Sequence, residues 1–372
     1  MREVGCDAGL FYLRNDCRLR KRHAAPCSRP FKLLQGRCGL FAAIEGGRRL
    51  ISLVARQHRC ERPLCGRPLD VSRLVPMRIF RRLAALVCVI GLAVGAYGVF
   101  VEPGRLVVRS RAVEVAAWPA SHRPLRIAFL ADLHVGAPHI GLEKLRKIVH
   151  CTNALKPDLV LLGGDYVIDG VLGGNVVAPG PIAKALAGLS ATHGVVAVLG
   201  NHDWWNDGNV IRRALENAGI KVLENQSLAL RHEGQTVWIA GIADDKTRTP
   251  DPVGVLSKIN GSDPIIVVTH DPAIFPDVPK RAAMIFAGHT HGGQVYLPVL
   301  GALITPGRAP RRHAYGLIRE NGRVMYVSGG IGTSIIPIRI NMPPEIAVVT
   351  LRGISSKQSQ RRQAPAGNRQ CQ

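Results

Sequence analysis

Five apolar runs in the middle of the chain, residues 125–130, 158–162, 194–199, 264–268 and 283–287, are short, nearly continuous and rich in β-branched side chains. Such runs predict strands buried on both faces, because a strand with one wet face would alternate polar and apolar positions. Between several of them lie stretches with helical spacing of apolar residues, 142–155, 182–189 and 210–218. Strands alternating with helices predict βαβ units and the α/β class. Residues 237–242 are also strand-like, and the later strand-like pieces at 314–318 and 323–328 predict a second sheet packed on the first. The expected domain, 125–351, spans about 227 residues, enough for one large core.

A different pattern stands upstream. Arg78, Arg81 and Arg82 precede an apolar run, residues 83–101, interrupted only by Gly and one Tyr. That length suits a transmembrane helix, and the basic residues before it make 77–101 a signal-anchor or export signal. Arg105, Arg109 and Arg111 follow the run, so the positive charges do not fix its orientation. Residues 102–124 are expected as a linker. Residues 1–76 hold six of the nine cysteines, no Cys-x-x-Cys pair and no sustained periodicity. They read as an unstructured or mis-annotated extension, with translation starting at Met77. The stretch 352–372, rich in Gln, Ser, Arg and Pro, reads as a disordered basic tail.

Charge follows the same division. Of the net +23, residues 1–76 contribute +10 and the tail +5, leaving +8 for the remainder. This modest excess favours an anionic membrane surface or a phosphorylated substrate and does not require nucleic acid.

Each of the five predicted strands ends in a polar turn. In order these are Asp132-Leu133-His134, Gly164-Asp165, Gly200-Asn201-His202-Asp203, Thr269-His270 and Gly288-His289-Thr290-His291. In α/β sheets ligands gather outside the carboxyl ends of the strands, where all five lie. Two Asp, one Asn and four His, with one His to spare, suffice for two ions sharing a carboxylate. Such a pair of ions, roughly 3.5–4 Å apart, can clamp a phosphoryl group and turn water into hydroxide near neutral pH. Asp, Asn and His suit Mn, Fe, Zn or Ni better than thiolate-preferring metals, and the choice among them stays open. Singly the turns say little, since Gly and Asp are ordinary turn formers. Together and in order they argue for a site.

The succession Asp-x-His, Gly-Asp, Gly-Asn-His-Asp, a lone His and Gly-His-x-His resembles the calcineurin-like metallophosphoesterases over nearly the whole of 125–351. Gly-His-Thr-His-Gly-Gly-Gln at 288–294 is similar to the membrane-anchored bacterial phosphodiesterase branch, as are 329–334, 337–339 and 343–345. The resemblance implies a layered β-sandwich flanked by helices. It implies one ion on Asp132, His134, Asp165 and His291, and a second on Asp165, Asn201, His270 and His289, with Asp165 bridging. It also implies that His202 stands over the phosphate, and Asp203 is expected to orient its ring. Some relatives in that branch cleave the pyrophosphate of UDP-2,3-diacylglucosamine in lipid A synthesis.

Three functions are compatible with these features. One is a membrane-held phosphodiesterase or pyrophosphatase acting on a phosphorylated small molecule or lipid-linked substrate. Another is a nuclease or nucleotide phosphoesterase, which would want a basic aromatic groove that two Trp and scattered Arg do not supply. The third is a catalytically silent envelope-binding module, disfavoured by retention of His202 with every ligand. Trp204 and Trp205 are expected to pack locally rather than form a lid; Arg311, Arg312 and Arg339 could meet an anionic substrate, although arginine on a basic chain more often lies on a solvated face.

Overall fold

The computed structural model describes residues 77–116 and 118–354 and the backbone of 368–370. The expectations for 1–76 and for most of 352–372 lie outside the described residues. In chain order, α1 (Met77–Phe100) leads to β1 (Val107–Glu114), β2 (Leu125–Leu130), α2 (Leu142–Ala154), β3 (Leu159–Leu162), α3 (Pro179–Leu186) and β4 (Val195–Ala197). Next come α4 (Asn201–Asn206), α5 (Gly208–Asn217), β5 (Lys221–Val222), β6 (Gln226–His232), β7 (Gln235–Gly241), α6 (Pro252–Ser257), β8 (Ile265–Val268) and β9 (Ala282–Ala287). A small hairpin, β10 (Tyr296–Leu297) and β11 (Gly301–Ala302), precedes β12 (Gly316–Glu320), β13 (Arg323–Val327), β14 (Glu345–Arg352) and β15 (Asn368–Gln370).

Two mixed sheets pack face to face. The first has the order β15-β1-β14-β2-β3-β4-β5 and the second β12-β13-β9-β8-β7-β6. β2, β3, β4 and β5 run parallel, as do β7, β8, β9 and β13. The alternation within β2 explains the layering. Ile127 and Phe129 point into the seam between sheets, where Phe129 meets Phe286 of β9 with ring centroids 5.2 Å apart. Ala128 and Leu130 point the other way, into a core closed by α2, α3 and α5. A third cluster covers the far face of the second sheet with α6 and Phe275. Burial on both faces is why these strands are continuous apolar runs.

Residues 102–124 are not the linker that their composition suggests. β1 lies inside them and pairs in parallel with β14 from Val107↔Glu345 to Glu114↔Arg352, and Trp118 is 1% exposed. Arg109, Ser110 and Arg111 keep the middle of β1 wet, so it lacks the apolar continuity of the central strands. β15 adds three antiparallel residues to the outer edge of β1 within the stretch expected to be disordered, since an edge strand offers unpaired backbone groups.

α1 is long and apolar enough to cross a membrane, and nearly all its side chains are exposed. Its last turn rests on the domain. Gly98 is buried against Ile338 and Ile340, the Arg339 N–H donates to the Gly98 carbonyl at 2.9 Å, and Glu102 accepts from the Met342 N–H.

Candidate metal centre

The carboxyl ends of β2, β3, β4, β8 and β9 deliver the expected residues to one place. Asp132, His134, Asp165, Asn201, His270, His289 and His291 are all at most 5% exposed. Five of them, Asp132, His134, Asp165, His289 and His291, have positive φ between 42° and 67°. Non-glycine residues rarely adopt that conformation, and where they do the strain commonly serves a site. Two glycines make the close approach feasible. A Cβ at Gly200 would overlap Asp165 Oδ1, and one at Gly288 would stand 2.7 Å from Asp132 Oδ2.

Among the described residues the donor atoms form three overlapping groups, each within 4.8 Å: Asp132 with His134 and His291, Asp165 with His270 and His289, and, joining them, His134 with Asp165 and His202. Backbone carbonyls set the rings. His134 Nδ1 lies 3.2 Å from the Val167 carbonyl and His270 Nδ1 2.8 Å from that of Gly163, so each Nδ1 carries the hydrogen. Both Nε2 atoms then face one oxygen, Asp165 Oδ2, at 3.5 and 3.2 Å. Asn201 Oδ1 and His289 Nδ1 each stand 3.2 Å from His270 Nε2, and His291 Nε2 lies 3.2 Å from His134 Nε2. The other Asp165 oxygen accepts from the His202 N–H at 2.9 Å.

Electrostatics match the donor set to a cation. Burial pushes the Asp132 carboxyl up to about 7, with the Asp165 charge adding to it. Burial pulls His134 down to about 3 and lowers His289 and His291 as well, so these imidazoles are neutral, as ligands must be. For His270 burial also acts downward, but the Asp165 carboxylate beside it outweighs that and raises the ring well above its ordinary value. Positive charge is thus favoured between Asp165 and His270. Asp132 Oδ2, buried without a hydrogen-bond partner, is a second atom that a cation would satisfy.

His202 is 8% exposed, its Nδ1 unpartnered, with its ring 4.7 Å from that of His134. Burial lowers its pKa, partly offset by Asp165. Asp203 does not touch that ring, contrary to expectation. Its carboxylate accepts the N–H groups of Gly200, Asp165 and Tyr166 at 2.8–2.9 Å, tying the β3 and β4 turns together. The physical reason is local: as third residue of α4 it reaches back to the helix start in a capping box.

Three supporting residues were not placed at the site by the sequence reading. Asp271 Oδ2 lies 3.5 Å from His289 Nε2, on the side of the ring away from His270, while its Oδ1 accepts from the Ala273 N–H. In sequence it is indistinguishable from a turn residue before proline. Arg339 is fully buried rather than solvated. It donates to the carbonyls of Gly329, Met342 and Gly332, and burial pulls its pKa down to about 10 despite Asp132 and Glu345 nearby. Glu345 accepts from Tyr315 and Tyr326 and pairs with the Arg109 guanidinium, with Ser328 and the Gly329 N–H also on it, beneath the turn that touches Asp132. The tryptophans divide. Trp204 packs locally under the Arg248 guanidinium, whereas Trp205 stands 52% exposed with its ring against His202.

A sandwich of two sheets with flanking helices, carrying imidazoles and carboxylates at its strand ends, has the architecture and donor set of a metal-dependent phosphoric ester hydrolase. A family model for calcineurin-like phosphoesterases matches residues 125–293. Across 264 residues the chain is 29% identical to the uncharacterized metallophosphoesterase YkuE of Bacillus subtilis, covering 69% of this chain and 90% of that one. It is 30% identical to the phosphodiesterase YaeI of Escherichia coli, covering 68% and 90% respectively. A transmembrane protein with a metallophosphoesterase domain from Danio rerio is 30% identical, covering 73% of this chain and 63% of its own. The chain belongs to the calcineurin-like phosphoesterase family.

Proposed function

We propose that this protein is a membrane-anchored phosphodiesterase or pyrophosphatase that uses two divalent ions, manganese among the candidates, on a lipid-linked phosphoester. The observation that carries this is Asp165, whose single Oδ2 faces the Nε2 atoms of His134 and His270. One ion would be held by Asp132, His134, Asp165 and His291, and the other by Asp165, Asn201, His270 and His289. When bound, the pair supplies charge neutralisation of the phosphoryl group and acidification of water. The chain does the rest. Carbonyls of Val167 and Gly163 keep the facing rings in one tautomer, and the Asp203 carboxylate fixes the two turns against each other. His202, the titratable side chain at the mouth without a fixed partner on Nδ1, donates a hydrogen bond to the phosphoryl and a proton to the leaving oxygen.

α1 supports the anchor, and the name of the Escherichia coli relative supports diester cleavage. A diacyl substrate such as UDP-2,3-diacylglucosamine, an intermediate of lipid A synthesis, combines a pyrophosphate with a membrane tail. The test is metal content together with hydrolysis of bis-p-nitrophenyl phosphate, p-nitrophenyl phosphate and UDP-2,3-diacylglucosamine with added Mn. Two ions per chain with faster cleavage of the diester or lipid substrate is the expected result. A single ion, or preference for the monoester, overturns the reading.

A further inference from the structure

Outside α1, the exposed large apolar side chains are not scattered. Among the described residues, all but Val101, Trp205, Val210, Val253 and Ile354 sit on loops that leave the ligand-bearing turns or the 328–332 turn beside them. The tip of the β10–β11 hairpin presents Val299 at 105% and Leu300 at 66% exposure, and Ile304 follows at 77%. The turn after Gly332 presents Ile335 at 71%, and the loop after Asp165 presents Leu172 at 68% and Val176 at 76%. Val299 and Ile335 are β-branched residues at φ 69° and 64°, an uncommon conformation that turns them outward.

These loops form one connected surface. The Leu172 N–H donates to the Ile335 carbonyl at 2.9 Å, and Gln294 Nε2 donates to that of Ile336. Val295 bridges to Ile340, the Tyr296 N–H donates to the Ile340 carbonyl, and Ile340 packs on Gly98 of α1. The surface also borders the metal centre. A Cβ at Gly307, just past Ile304, would stand 3.1 Å from His289 Nε2, and one at Gly330 would stand 3.0 Å from the Asp132 Cβ.

Position along α1 sets the depth. A hydrocarbon layer about 30 Å thick takes about 20 helical residues, so a span beginning at Leu83, just after Arg81 and Arg82, leaves the bilayer near Glu102, one turn past Gly98. The segment that grips Gly98, Ile338 to Ile340, therefore lies at the edge of the hydrocarbon, and the hairpin and the Ile335 turn are fastened to it. Arg311, which donates to the Ala302 and Leu300 carbonyls, places a cation beside the apolar tip, where anionic lipid phosphates would meet it.

We propose that the loops around the metal centre form a bilayer-docking surface, with the 298–304 hairpin and the Ile335 turn inserted among the lipids. The catalytic mouth then opens at the membrane surface, and a phosphoester with acyl chains reaches it without passing through water. The proposal rests on reading α1 as a membrane anchor.

The test places the photoreactive residue p-benzoylphenylalanine in the full chain at Val299, Ile304 or Ile335, at Leu86 within α1, and at Val210 as the water-exposed control. The protein is reconstituted in vesicles of phosphatidylethanolamine and phosphatidylglycerol, and lipid adducts are counted by intact mass after illumination. Adducts at 299, 304 and 335 at least about five-fold above those at 210 are expected of an interfacial surface. Adducts at 86 with only control levels at the three loop sites overturn the docking surface and leave the anchor standing. Control levels at all four sites overturn both.

Discussion

Asp271→Asn isolates the support of one ligand. The carboxylate does two jobs: Oδ1 accepts the Ala273 N–H at 2.8 Å, and Oδ2 stands 3.5 Å from His289 Nε2. Asparagine keeps the first, because its carbonyl oxygen caps as well as a carboxylate. It inverts the second, since an NH2 group now faces Nε2 and favours a lone pair there. The ring hydrogen is then driven to Nδ1, the atom 3.2 Å from His270 Nε2 that must offer its lone pair to a metal. Loss of such an outer partner lowers metal affinity or activity by roughly 10–100-fold, which is about 1.4–2.7 kcal/mol. Asp132, His134 and His291 do not contact Asp271, so the effect falls on one ion of the two. The assay is a Mn titration followed by calorimetry and by hydrolysis of bis-p-nitrophenyl phosphate. One binding step should weaken while the other holds, with turnover recovering at saturating Mn. Two unchanged steps, or equal weakening of both, would refute the role given to Asp271.

Asp165→Asn should weaken both ions together and remove most hydrolysis, by roughly 100-fold or more; metal analysis showing a full complement would falsify the bridge. His202→Ala should leave metal content unchanged and lower kcat by roughly 10²–10⁴-fold. Mn binding should release about one proton more at pH 6 than at pH 8, read from calorimetry in two buffers, because His270 gives up its proton at both. The sign follows from Asp132, raised to about 7 by burial: below that value the free carboxyl is protonated and must ionise to bind, so apparent affinity rises with pH across this interval. Arg339→Met strips three carbonyls and three nearby carboxylates, Asp132, Glu345 and Glu102, of their cation, and should cost about 3–5 kcal/mol, seen as a lowered Tm.

What the sequence made legible is what repeats a simple rule. Strands buried on both faces announce themselves as apolar runs, and β2 was expected at the bounds it occupies, with β3, β4, β8 and β9 within two residues. The ligands followed because each sits just past such a run. β1 failed the same rule, since its middle is wet and its partner, β14, lies some 240 residues away in the chain. Arg339 was misjudged because composition assigns arginine to water. Three carbonyls from a turn of glycines and methionine make the buried position tolerable, and only the fold brings them together. Asp203 was assigned to the nearest ring in sequence, whereas a buried carboxylate seeks N–H donors, and the β3 turn supplied two of them across 37 and 38 residues.

The ligand turns are fastened to one another, which bears on whether metal builds the site or fills it. The Asp132 N–H donates to the Gly164 carbonyl, the His134 N–H to that of Asp165, and the Gly288 N–H to that of His270. The His289 N–H donates to Asp132 Oδ1, closing the link between the two sheets. Four of the five positive-φ ligands, Asp132, His134, Asp165 and His289, are therefore held by a backbone N–H bond to a neighbouring turn, and the strain, of order 1–3 kcal/mol per residue, is carried by the strands behind. Such a site does not need an ion to take shape. Metal bound to the folded state alone then adds stability only as RT ln(1 + [L]/Kd), about 2.7 kcal/mol at a hundredfold excess over Kd. Chelation should accordingly lower the Tm by a few degrees and leave the sandwich folded, whereas a metal-built domain would lose its structure outright.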